Sequence, residues 1–146
     1  MSVPSIETKI AEAIKARVAT LPMVEQYTIV WTDGPLPAGQ NTYTPSPAQR
    51  YLRCTWTPNQ TQRQFIGSKD PHRRPSMLQI DVMGLKTQAS PVAREVAGQV
   101  ALHFPADLRM AFQGIETRVT KAPSALAPFI DTHIQVPVVI ELEAYA

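Results

Sequence analysis

THIQVPVVIELEAY, residues 132–145, carries the clearest pattern in the chain. Ile134, Val136, Val138, Ile140 and Leu142 fall on one face of an extended strand, and His133, Gln135, Pro137, Glu141 and Glu143 fall on the other. Side chains alternate along a strand with a period of two, so this segment has one face to bury and one to leave polar. Pro137 has no N–H to give to a ladder, which places the strand at a sheet edge or at a bulge. A long open edge invites another chain, so a neighbouring subunit is the expected cover.

Working outward from that strand, Met77 to Met83 alternates in the same way, with Leu78, Ile80 and Val82 opposite Gln79 and Asp81. Ile115–Thr120 reads as a strand, as do Arg50–Trp56 and the aromatic and β-branched run Tyr27–Trp31. Two helices are expected between them. In residues 5–20 the apolar Ile6, Ile10, Ile14 and Val18 recur every fourth position, Ser5 can cap the start, and Pro22 ends the run. Ser90-Pro91 opens the second, which continues through Val92, Val96, Val100 and Phe104 and stops at Pro105. The order is therefore α-β-β-β-α-β-β. Two helices pack on one face of a mainly antiparallel sheet of about five strands, an α+β domain in two layers. Residues 1–146 form a single domain, with an irregular Pro/Gly-rich loop at 33–47 and a polar, basic arm at 58–76.

The sequence offers little to chemistry. His72, His103 and His133 have no second ligand at metal spacing, and Cys54 is the one cysteine, so neither a metal site nor a disulfide is expected. The six glycines are not grouped as phosphate-binding loops require, and no nucleophile motif is present, so neither a cofactor nor catalysis is expected. The N-terminus reads as an amphipathic helix and the apolar runs are short, so the expectation is a protein made in a reducing cytoplasm without a membrane partner.

Charge is uneven. Residues 50–74 hold Arg50, Arg53, Arg63, Lys69, Arg73 and Arg74 against Asp70 alone, whereas 131–146 hold Asp131, Glu141 and Glu143 with no Lys or Arg. One reading is two solvated faces. A second is a self-complementary subunit whose basic arm docks on the acidic last strand of the next copy. A third has the arm facing nucleic-acid phosphates, but Phe65 is the sole aromatic in it, and single-strand binders interleave several. The candidate subunit or tube interface is Tyr43, Arg63, Phe65, Ile66, Lys69, Arg73, Arg74, Glu141 and Glu143. On this reading, reversing Arg73 and Arg74 weakens assembly and leaves the subunit folded.

An ordered series of segments resembles the tail terminators of long-tailed bacteriophages, the minor tail protein U-like group. It runs from the N-terminal helix and Pro-rich loop to Tyr51-Leu52-Arg53, Arg73-Arg74 and Leu78-Gln79-Ile80-Asp81-Val82. It continues through His103-Phe104-Pro105 and Arg118-Val119-Thr120 to Pro137–Ile140 and Tyr145. The resemblance implies a structural virion subunit and no enzyme. It implies a hexameric ring at the head-proximal end of the tail, which caps the tube, ends its polymerisation and offers a surface for head attachment. Its partners would then be further copies of itself, the tail tube protein, a head-completion connector, and DNA crossing the channel without sequence readout. Another connector or tube subunit, and a basic nucleic-acid-binding module, are the alternatives.

Overall fold

The computed structural model describes residues 5–22, 27–31, 50–63, 71–85, 90–130 and 133–146. The first helix, α1, spans Ile6–Val18, and the Ser5 hydroxyl accepts a hydrogen bond from the Thr8 backbone N–H at 3.3 Å. Such a cap satisfies one of the amides that a helix start leaves free. Ile10, Ile14 and Val18 are buried, as the four-residue spacing predicts; Ala13 is buried beside them, and Ile6 is partly buried. The second helix, α2 (Ser90–His103), buries Ala93, Ala97 and Val100, and Phe104 closes the core just beyond its end. The two C-termini are tied together. Arg17 donates from Nε and Nη2 to the His103 carbonyl at 3.1 and 2.7 Å, placing a cation where the helix leaves its carbonyls unpaired.

The strands are β1 (Thr28–Trp31), β2 (Tyr51–Pro58), β3 (Arg73–Leu85), β4 (Arg109–Phe112), β5 (Ile115–Val119), β6 (Ser124–Ala125), β7 (Phe129–Ile130) and β8 (His133–Tyr145). They form one sheet in the order β1-β2-β3-β8-β5-β4, with β6 and β7 also on β8. The α+β class is as the sequence predicts. The ladder differs in three respects: β1 runs parallel to β2, three short strands join the expected five, and β3 starts at Arg73 rather than near Met77. The β4–β5 connection is the two-residue loop Gln113-Gly114, with φ of 49° and 84°. Two positive φ angles are what a tight hairpin of primed type demands.

The last strand is central. β3 pairs with β8 along its whole length, from Arg73↔Tyr145 to Leu85↔His133. On the other side the chain from 115 to 130 runs back along β8 as β5, β6 and β7 in turn. The edge expected to need a neighbouring subunit is therefore covered from within. Pro137 explains how a proline fits there. Its carbonyl accepts from the Leu126 N–H at 2.8 Å, so its N faces the same side, at the break between β6 and β7. The missing donor falls where that ladder is already interrupted, and the pairing with β3 continues past it.

Leu52, Cys54, Leu78, Ile80, Val82, Ile134, Val136, Val138, Ile140 and Leu142 are all buried on the helix-facing side. α2 packs on β8, β3 and β6; α1 packs on β4 and β5 and sets Lys15 over the Trp31 ring at 5.3 Å.

Candidate functional site

With the helices on one side, the opposite face of the sheet carries Arg53 on β2, Gln79 and Asp81 on β3, and Glu141 and Glu143 on β8, by the two-residue alternation. This face is polar in sequence, yet Asp81 and Glu143 are only 2% and 6% exposed. A buried carboxylate must be paired and hydrogen-bonded to be tolerated. Both are. Asp81 Oδ2 accepts from Arg53 Nε and Nη2 at 3.1 and 3.0 Å, and Oδ1 accepts from Gln79 Nε2 at 2.8 Å.

Glu143 sits at the centre of a larger arrangement. Its Oε2 accepts from Arg73 Nε on β3 at 2.9 Å, and its Oε1 accepts from Arg118 Nη2 on β5. Arg118 also donates from Nη1 to Asp107 at 2.7 Å, and Arg73 Nη1 donates to Gln62 Oε1 at 3.0 Å. One carboxylate thus clamps the strands on both sides of β8. The Arg118 hydrogen bond, followed by that of Arg73, holds the Glu143 carboxyl below its ordinary pKa near 4.5 against the opposing effect of burial. The same contacts hold the Arg118 guanidinium charged to higher pH.

Two shallow hollows flank this bridge. One, of about 530 Å³, is lined by Thr57, Asn59, Gln62, Arg73, Thr120 and Glu141. The other, of about 360 Å³, is lined by Arg109, Glu116, Arg118, Glu143 and Tyr145. Exposed pairs rim them, Arg109–Glu116 at 2.9 Å and Lys121–Glu141 at 3.4 Å. The surface has shape and fixed charges of both signs, suited to docking another polar surface.

The sequence-derived interface is divided by the structure. Arg73 and Arg74 lie in β3 and not in an irregular arm. The basic–acidic match expected between subunits is met inside one subunit by Arg73 and Glu143. Arg74 donates from Nε to the Ala146 carbonyl at 3.3 Å and from Nη1 to Thr61 Oγ1 at 3.5 Å. Glu141 is half exposed beside Lys121. Arg63 is exposed just beyond the Gln62↔Arg73 bridge that narrows the base of the β2–β3 connection. Tyr43, Phe65, Ile66 and Lys69 lie outside the described residues. Sequence reasoning missed Arg118, whose only signal was an Arg on the polar face of a short strand.

Cys54 is fully buried, and burial, with Asp81 adding to it, pushes its thiol up to about 12, where it stays protonated. His103 Nε2 lies 2.7 Å from Thr20 Oγ1, and burial first, then the Arg17 charge, lower its pKa. Among the described residues no group of three or more His, Cys, Asp or Glu is placed to hold a metal, and no helix is long and apolar enough to cross a membrane.

A family model described as phage tail terminator protein matches residues 9–142. A solved structure that is 23% identical in sequence superposes with a TM-score of 0.59, over 92% of this chain and 94% of that one, a likeness of fold. No curated protein sequence matches.

Proposed function

The chain belongs to the phage tail terminator family, and is thus a structural protein of the phage tail; on that premise we propose that it forms a ring on the head-proximal end of the tail tube. The ring ends tube polymerisation and presents the surface to which the head attaches, and DNA crosses its channel without sequence readout. The observation that supports this reading is the extent of the match: 9–142 runs from within α1 through α2 and nearly the whole sheet, up to Leu142 of β8.

The outer sheet face supports the reading as a docking platform. Its cross-strand bridges hold a polar surface rigid, and a rigid surface loses little conformational freedom when a partner binds. Beyond the described strands, the 33–47 loop with Tyr43 and the connection carrying Arg63, Phe65, Ile66 and Lys69 supply the tube and neighbour contacts, and Glu141 supplies an acidic one. Arg73, Arg74 and Glu143 fix the base from which that connection departs.

The test is tail-tube assembly from purified tube protein with and without this protein, read by electron microscopy, with the free protein's mass followed by sedimentation. Tubes of limited length carrying a ring at one end are expected. Tubes that grow unchecked, with no added density at either end, would refute the reading.

A further inference from the structure

The strip where α2 meets β6, continued along β7, is unlike the rest of the surface. Leu126 and Ile130 are 49% and 64% exposed, two of the five large apolar side chains left open among the described residues. Arg94, Ala125, Leu126, Ala127 and Pro128 line a hollow of about 320 Å³ whose floor is the buried Val136. Among the described residues β6 and β7 pair with β8 alone, so their outer backbone edge is unused. Single exposed apolar residues are ordinary, but a run of them along an open edge marks an interaction surface.

A complementary surface exists on α1. Its outer face presents Thr8, Glu12, Ala16 and, just past its end, Ala19, all exposed. The two alanines leave the helix backbone close to the surface. Among the described residues Glu12 has no basic partner and Arg94 no acidic one. Lys9 and Glu95 form a second unpaired couple of opposite sign on the same two helices.

We propose that the α2–β6–β7 strip of one copy receives the outer face of α1 from a second copy, with Arg94 on Glu12 and Leu126 against Ala16 and Ala19. The contact joins two different surfaces, so it repeats head to tail and closes into a ring where the rotation allows. The inference rests on the ring reading above and assigns its lateral interface. That interface is distinct from the outer sheet face, which stays free for tube and head.

The experiment is sedimentation of the full chain over a range of concentrations, alone and with tail tubes. The variants are Ile130→Asp, Arg94→Glu, Glu12→Arg and the double Arg94→Glu/Glu12→Arg, each checked for folding by circular dichroism. Ile130→Asp is expected to abolish association. Each charge reversal should weaken it by roughly tenfold or more, and the double swap should restore most of it. An oligomer indifferent to all four, or a double variant no better than the singles, overturns the interface while leaving the ring intact. A strip that stays open to hydrogen exchange in the assembled oligomer, alone or on tubes, overturns it too. Wild-type protein that stays monomeric both alone and on tubes sinks the ring reading itself.

Discussion

The two faces of β3 and β8 are made from alternate residues of the same strands, and each hides side chains from water by opposite means. On the inner face, Leu78, Ile80, Val82, Val136, Val138 and Ile140 meet the helices with at most 1% exposure. On the outer face, Asp81 and Glu143 are nearly as hidden, and arginines from neighbouring strands hold them. The inner face stabilises by area removed from water, a force without direction that tolerates many sequences. The outer face contributes little net energy for its charges, since burial offsets attraction. Its bonds are directional, however: Arg53 on Asp81, and Arg73 and Arg118 on Glu143, fit one register of β2, β3, β8 and β5. A slip of one residue would carry every one of these side chains to the wrong side. The division of labour is stability from one face and register from the other.

The comparison breaks first on the inner side. Val100, fully buried on α2, has no partner for a charge, so Val100→Asp should leave no folded protein by circular dichroism at room temperature. A buried unpaired charge costs several kcal/mol, a large part of the ~5–15 kcal/mol that holds a domain together. A cooperative melt from that variant would mean α2 does not pack as described. Next come neighbours on one strand: Ile80→Ala should cost ~2–4 kcal/mol by denaturant titration. Gln79→Ala, which removes only a bond to Asp81, should cost about 1 kcal/mol. Equal costs would erase the distinction between the faces.

Arginine reversals sharpen the outer side. Arg73→Glu sets a second carboxylate against Glu143 and should lower subunit stability by ~1–3 kcal/mol in thermal or chemical melts. Arg74→Glu loses only two longer bonds, to Ala146 and Thr61, and should have the smaller effect. The opposite order would place the register lock elsewhere. The sequence-based expectation, in which both reversals spare the fold and weaken assembly, therefore gives way for Arg73.

The legible parts share one physical basis, local periodicity. Residues 5–20 and 90–104 settle as Ile6–Val18 and Ser90–His103, and every inward residue expected of the last strand is buried. The pairing was not legible. Arg73 and Glu143 are 70 positions apart, and their meeting depends on how β3 and β8 align, which no local pattern encodes. β6 and β7 were hidden for a different reason. Each is two residues long within a Pro- and Ala-rich run, 122–130, that reads as loop, although it supplies the cover of β8. An edge that looks open in sequence can be closed by a segment with no strand signature, and here that removed the argument for a neighbour on the last strand while exposing a different edge.

The smallest effect is in acid, where the two faces should part again. Glu143 is held below its ordinary pKa near 4.5 by Arg118 and Arg73, so the folded state binds its proton less readily than the unfolded state does. Its contribution is fully present above the unfolded value and is lost as pH falls through the lower folded value. Stability measured by denaturant titration should therefore decline below about pH 4.5, and Glu143→Gln should flatten that decline while lowering stability at pH 7. His103 acts in the same direction over a higher window. Burial and Arg17 lower its pKa, so the stability it gives as a neutral ring is present above about 6.5 and lost as pH falls through the folded value. His103→Gln should remove that upper step and leave the Glu143 step untouched, since the first ties the helix ends and the second ties the outer face. If a single substitution abolished both steps, the two faces would be coupled through the sheet and the division between them would not hold.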